Sequence, residues 1–245
     1  MRHDSGAHTA LLQLMKRSFD PAVLEIMDRP QPVSAELDRD LQHLRHLNRW
    51  FGSHRLVLQF MRRWLKPGAR MRLIDFATGS GDIPRLIADF ARKIGASVEI
   101  DAVDQQAATL EIASSLSAAY TEISYRHGNI LEWDSAESYD IALCNLALHH
   151  FSDQDAVIVL RRCCELSRRF VLVSDLRGGL LLRAGVYFLT ATVFREPMTR
   201  HDARLSAVRA FSFAEMHDVA VRAGCKHFGH KKFPIARQAI WLEMP

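Results

Sequence analysis

The sequence predicts an α/β protein: a doubly wound, seven-stranded sheet with a helical extension before it and a helical insertion after its fifth strand. Three observations carry this. Apolar runs of strand length alternate with helical patterns from Met71 to Leu176, as crossover connections between parallel strands require. The segment Leu73-Ile74-Asp75-Phe76-Ala77-Thr78-Gly79-Ser80-Gly81-Asp82-Ile83-Pro84 is an apolar strand, an acid, a glycine-rich bend and the start of a helix. A second strand, Val98-Glu99-Ile100-Asp101-Ala102-Val103-Asp104, also closes on an acid.

Residues 1–70 are predicted to be helical, an extension or lid ahead of the sheet. Leu37, Leu41, Leu44, Leu47 and Phe51 step by three and four and give one apolar stripe. Ser34 is placed to cap that helix, with Glu36 in its first turn. Gly52 interrupts the pattern before Leu56–Leu65 resumes it. His43 and His46 lie three apart without a third ligand nearby, so they read as solvent-facing and no metal site is expected.

Residues 71–245 form the ligand-binding domain. Further strands are expected at Ile123–Arg126, Tyr139–Asn145 and Phe170–Asp175, the last nearly continuous in apolar residues as a buried parallel strand should be. Asp153–Ser167 and Ser212–Ala223 read as helices, the second ended by Gly224. Lys226–Phe233 and Ala236–Glu243 complete the seven strands. Residues 177–211 are the insertion: Gly178-Gly179 loosens the chain, Leu180–Phe194 is apolar nearly all round, and Arg195–Ala210 is polar and arginine-rich. It follows the carboxyl end of a strand, where open α/β sheets bind ligands. A lid over an apolar acceptor and a packing or dimer element are both open.

The chemistry starts in the glycine bend. Gly79 and Gly81 tolerate positive φ and carry no Cβ, so a ligand can lie on the main chain. Pro84 suits the first turn of the helix, whose initial N–H groups stay free. A phosphate-cradling loop needs Gly-Lys-Ser/Thr, and none follows Gly81; the dinucleotide pattern Gly-x-Gly-x-x-Gly would put Pro84 at its third glycine. The pattern that fits is Asp-x-Gly-x-Gly-x-Gly, with Asp75 as the acid, Ala77 in the first glycine place, then Gly79 and Gly81. Asp104 can accept both hydroxyls of a ribose through its two oxygens, and can equally cap the helix that begins near Gln105. Two further segments follow: Arg126-His127-Gly128-Asn129-Ile130, and a fourth strand whose end, Asn145-Leu146-Ala147-Leu148-His149-His150-Phe151, spells Asn-x-x-Leu-His-His.

These four segments, in this order over Leu73–Phe151, resemble the class I S-adenosylmethionine-dependent methyltransferases. The resemblance implies a Rossmann-like fold whose last two strands form an antiparallel pair at one side of the sheet. It implies S-adenosyl-L-methionine as cofactor, with Asp75, Ala77, Gly79 and Gly81 around its methionine portion and adenosine. Asp104 would lie at the ribose and Asn129 with Ile130 at the adenine, with Gln105 and Asn145 also binding the cofactor. Two positions depart from the commonest pattern: Ala77 replaces glycine, as it does in the ubiquinone and menaquinone C-methyltransferases, and Asn129 stands where aspartate is frequent. Looser matches at Met27-Asp28, Asp40-Leu41, Leu47–Gly52, Thr199–Asp202 and Arg209–Phe211 are similar to a bacterial subgroup associated with polyketide or phenolic biosynthesis.

A sulfonium methyl is already activated, so the protein aligns the reactants and, for a hydroxyl acceptor, supplies a base. Histidine suits that role near neutrality. His150 is the first candidate and His201, followed by Asp202, the second; a plain loop-shaping role is the alternative for His149, His150 and His201 alike. The expected reaction is O-methylation of a small apolar or phenolic molecule. C-methylation of a quinone precursor and a non-catalytic methyltransferase-like binding protein are the alternatives. The net charge of +4 comes from scattered arginines without an aromatic-basic motif, which argues against nucleic acid. Cys144, Cys163, Cys164 and Cys225 lack Cys-x-x-Cys spacing and fit reduced thiols of a cytoplasmic protein. Arg183 breaks the longest apolar run, so no transmembrane segment is expected, and Met1–Ser5 lacks a signal-peptide layout. Monomer and homodimer both remain open.

Overall fold

The computed structural model describes residues 16–134, 137–194 and 196–244; Met1–Ser5 and Arg195, which entered the sequence reading, lie outside them. The strands are β1 (Arg70–Phe76), β2 (Ser97–Asp104), β3 (Ile123–His127), β4 (Tyr139–Asn145), β5 (Ser167–Leu176), β6 (Gly229–Phe233) and β7 (Arg237–Glu243). They form one sheet in the order β3-β2-β1-β4-β5-β7-β6. The first five are parallel, and β7 runs antiparallel to both β5 and β6, which gives the expected antiparallel pair at one side.

Side-chain alternation explains why the strands read as continuous apolar runs. Leu73, Ile100, Ile141, Leu143 and Leu172 pack into the core on one face. Ile74, Val103, Ala142, Cys144 and Val171 pack into the core on the other. Both faces are covered by helices, so neither set of alternate residues meets water.

The helices are α1 (Ala35–Trp50), α2 (Ser53–Trp64), α3 (Asp82–Ile94), α4 (Ala107–Leu116), α5 (Asp153–Leu166), α6 (Leu180–Thr192), α7 (Pro197–Arg209) and α8 (Phe213–Arg222). On one face α2 and α3 bury Val57, Phe60, Met61, Ile87 and Ala91. On the other, α5 and α8 bury Val159, Leu160, Cys163, Met216 and Val219. The starts follow sequence signals. Ser34 Oγ accepts from Leu37 N at 3.1 Å, and Ser212 with Glu215 forms a reciprocal capping box at α8. Gly52, at φ +89°, separates α1 from α2. Among the described residues no helix is long and apolar enough to cross a membrane.

Five expectations need correction. Residues 16–34 contain no α-helix, only a 3₁₀ turn at Ile26–Asp28, because Pro21, Pro30 and Pro32 remove donors and hold their predecessors extended. Strand β5 begins at Ser167, directly after α5, rather than at Phe170. Strand β6 begins at Gly229 rather than Lys226: His227 takes positive φ (57°), and a Cβ at Gly229 would lie 2.1 Å from the Trp241 ring. Gly178 is a close backbone crossing, not a loose joint; its N–H donates to Phe211 O at 2.8 Å and a Cβ would stand 2.2 Å from Ala210 O. His43 is half-buried rather than solvent-facing, with Nδ1 3.1 Å from Thr199 Oγ1 and its ring edge-on to Phe194, so it ties α1 to α7.

Strand β1 pairs with β2 on one side and β4 on the other, so the winding reverses there and a crevice opens at the carboxyl ends. Gly81, at φ +72°, caps α3 beside this crevice, and a Cβ on it would sit 2.1 Å from Tyr125 Oη. Gly81→Ala should therefore destabilise the protein by about 2 kcal/mol or more, from left-handed strain and the clash together. A denaturation midpoint equal to that of the parent would contradict this packing.

Candidate active site

The crevice opens into a cavity of about 620 Å³. Asp75, Ala77 and Gly79 reach it from the end of β1, Asp104 and Gln105 from the end of β2, and Asn129 and Ile130 from beyond β3. Asn145 lines it from the end of β4. Gly81 does not; it shapes the turn from behind, against Tyr125. The same cavity continues along an apolar wall made by Leu41, Leu44 and Leu47 of α1 and Leu182, Val186 and Leu189 of α6.

Backbone conformation marks the site. Ala77 (φ 53°) and Leu146 (φ 54°) adopt the left-handed region, the first at the expected glycine place and the second directly after β4. Non-glycine residues hold that conformation at a cost, and such positions concentrate at functional sites. A Cβ on Gly79, also at positive φ, would meet nothing within 4 Å and would point into open space.

The acids of this half have uncharged partners. Asp75 is buried; its Oδ2 accepts from Thr78 Oγ1 at 2.7 Å and its Oδ1 faces Asn145 Nδ2 at 3.5 Å. Burial outweighs these hydrogen bonds and pushes its carboxyl up to about 7. Asn145 is itself fixed by Ser174 Oγ, which donates to its Oδ1 at 2.7 Å. Asp104 accepts from Gln106 N through Oδ1 and from Gly79 N through Oδ2, each at 2.9 Å. It thus ties the loop after β2 to the glycine bend while each oxygen retains a lone pair. Burial raises its pKa, opposed by the two backbone hydrogen bonds. Asn129 commits its side-chain carbonyl to Leu131 N at 3.0 Å, so its amide hydrogens are the groups it can offer a ligand most directly.

The histidines separate into three environments. His149 is buried, its Nδ1 2.7 Å from Asp175 Oδ1, while its backbone N–H donates to Asp175 Oδ2 at 2.8 Å. His150 lines the cavity with Nδ1 2.7 Å from Asp28 Oδ2 and Nε2 3.8 Å from Glu25 Oε2. Burial alone would lower its pKa, but Glu25 and Asp28 raise it to about 10. At neutral pH it is an imidazolium, which has no lone pair to take a proton, so a simple general-base role for His150 does not fit this geometry. His201 is a poorer candidate still: it does not line the cavity. Its Nδ1 meets Asp202 at 2.8 Å, but Asp202 accepts from Ile26 N and Met27 N and serves to hold the 3₁₀ turn.

Glu25 as a site residue escaped the sequence reading, and Asp28 appeared there only as a loose resemblance. Both lie in an aperiodic, proline-flanked stretch, and only tertiary folding carries them to His150. The turn's acid–acid spacing is the one local signal, and it is common in loops. Asp28 and His150 are also close enough to act on the charge of Asp104.

Two groups should make the ligand-free protein less stable as pH rises. Asp75, raised from 3.8 to about 7, binds its proton more tightly when folded, so stability falls between those values. His150, raised from 6.5 to about 10, contributes stability that is complete below 6.5 and lost as pH climbs through 10. The thermal midpoint should fall from pH 6 to pH 10, and His150→Gln should flatten the upper part of that fall. A midpoint that rises over this range would contradict the assignment.

Comparison with known proteins agrees with this geometry. Residues 73–169 match the family model of a methyltransferase domain, a span that holds the glycine bend, Asp104, Asn129 and both histidines of the 3₁₀ turn Leu148–His150. No curated protein matches the sequence. Among solved structures, the plantazolicin methyltransferase BpumL in complex with SAH superposes with a TM-score of 0.64 at 10% identity, over 86% of this chain and 89% of that one. Magnesium protoporphyrin IX methyltransferase from Synechocystis PCC 6803, with bound SAH, gives 0.56 at 15% identity over 89% and 91%. Human N-acetylserotonin methyltransferase in complex with SAM gives 0.61 at 17% identity, over 85% of this chain and 55% of that one. At these identities the likeness is one of fold. With a methyltransferase domain matched in sequence over residues 73–169 and the fold matched in structure, the chain carries a methyltransferase domain within the fold shared by these S-adenosylmethionine-dependent enzymes.

Proposed function

We propose that this chain transfers a methyl group to the oxygen of a small apolar or phenolic molecule. The observation that carries this is a continuous cavity that joins the glycine bend to a leucine-lined wall, with the Glu25–His150–Asp28 cluster also on its surface. The residues present fit the cofactor. Asp104 has acceptor capacity for two ribose hydroxyls, Gly79 leaves open the space a Cβ would fill, and buried Asp75 is held by uncharged donors. Asp75 would face the positively charged methionine portion, and Asn129 with Ile130 the adenine.

When bound, S-adenosylmethionine supplies a methyl on a positively charged sulfur. The leucine wall would hold the acceptor and keep water from the reacting oxygen. The His150 imidazolium would stabilise negative charge as it develops on that oxygen, and the hydroxyl proton would pass to a carboxylate of the cluster. The O–C bond forms as the C–S bond breaks, which leaves a neutral thioether.

Calorimetric titration with S-adenosylmethionine and S-adenosylhomocysteine tests the first half. Both should bind, and Asp104→Ala should weaken both by about tenfold or more, the loss of about 1.4 kcal/mol. With a phenolic acceptor that turns over, His150→Gln should lower kcat by about a hundredfold with little effect on cofactor affinity. Folded parent protein that binds neither ligand would contradict the enzyme reading, and a methyl found on carbon in the product would contradict O-methylation.

A further inference from the structure

The junction of the cavity holds a donor set that the ion-pair description does not exhaust. One nitrogen each from His149 and His150 and one carboxylate oxygen of Glu25 lie within 4.8 Å of one another. Each histidine has its Nδ1 at 2.7 Å from a carboxylate, Asp175 for His149 and Asp28 for His150. Nε2 is therefore the nitrogen each ring has left for an ion. A carboxylate behind the distal nitrogen is the arrangement that fixes tautomer and orientation in metal-binding imidazoles.

The spacing of His150 and Glu25 is suitable. Two donors about 2.1 Å from one ion stand about 3.4 Å apart at the tetrahedral angle and at most about 4.2 Å. His150 Nε2 and Glu25 Oε2 are 3.8 Å apart. The supports are rigid: Ser206 Oγ donates to Glu25 Oε1 at 2.8 Å, and Asp175 also accepts from the backbone N–H groups of His149 and Leu176. Glu25 is 2% exposed and His149 3%, so little rotamer freedom remains to be lost. All three donor residues line the cavity.

We propose that Glu25, His149 and His150 bind a divalent transition-metal ion of the zinc class, with Asp28 and Asp175 as positioning residues. Two imidazoles and one carboxylate suit zinc, cobalt(II) or iron(II), and not magnesium or calcium, which take oxygen donors. Three protein ligands leave a position open to the cavity. An ion there lowers the pKa of a hydroxyl oxygen bound at that position, and the released proton leaves to water at the cavity mouth. The catalytic meaning rests on the proposed O-methylation; the binding of the ion does not. In the metal-free protein the proton of His150 fills the same electrostatic role, so the ion displaces it.

Cobalt(II) is the probe. The full chain, stripped with a chelator, is titrated with cobalt(II) chloride and followed by visible absorption, with S-adenosylhomocysteine binding measured on the same sample. One equivalent should produce the bands of a low-coordinate site, zinc should abolish them, and magnesium should not. Glu25→Gln and His150→Gln should remove stoichiometric binding, and Asp28→Asn should weaken it by about 10- to 100-fold. X-ray absorption of the zinc-loaded parent provides a readout that needs no variant, and should count two imidazoles. Absence of cobalt bands in a chain that still binds S-adenosylhomocysteine, bands unchanged in the Glu25 and His150 variants, or a thiolate shell would each overturn the site. Cobalt bands without cofactor binding would instead contradict the methyl-transfer reading and leave the metal site standing.

Discussion

The site depends on the reversal of winding at β1. Because β2 and β4 flank β1 on opposite sides, their crossover helices leave in opposite directions and the carboxyl ends of three neighbouring strands stay uncovered. Asp75, Asp104 and Asn145 stand at or next to those ends. Their mutual placement is set by ladder register rather than by loop conformation: Asp75 pairs with Ala102 and Leu143, in strands buried on both faces. Rigid strands hold such groups more tightly than loops can. The strained turns at Ala77 and Leu146 then bend the chain away at once.

Charge is the second constraint. Asp75 is buried among neutral donors, at an energetic cost that appears as its raised pKa. A cationic ligand beside it would recover part of that cost. The other charged group follows the opposite logic. Glu25 and Asp28 surround His150 and fix a positive charge on the cavity wall. One cavity thus presents at the glycine bend a buried carboxyl whose ionisation a cation would favour, and elsewhere on its wall a fixed positive charge. That polarity suits the proposed transfer, in which positive charge leaves sulfur while negative charge is drawn from the acceptor oxygen.

Much of the fold was legible because it rests on local rules. Continuous apolar strands, the Ser34 cap and the glycine bend each carry their meaning within a few residues. Asp75 stood out for the same reason, since the bend and the acid are adjacent in sequence, and Asp104 because it closes its own apolar strand. The cluster around His150 was not. Its carboxylates come from a proline-broken stretch more than a hundred residues away, where no periodicity marks which acid points inward. His201 misled because an adjacent acid mimics a catalytic pair; in the fold that acid holds backbone N–H groups of Ile26 and Met27 instead. Gly178 misled because close backbone approach and flexibility favour the same residue.

A crystal structure with S-adenosylhomocysteine bound tests the central claim, that one cavity joins a cofactor half to an acceptor half. The ribose hydroxyls should lie within hydrogen-bond distance of Asp104, the adenine against Asn129 and Ile130, and the sulfur should face the leucine wall on the side of His150. A nucleoside lodged among Leu44, Leu182 and Val186, with Asp104 left to its backbone partners alone, would contradict it.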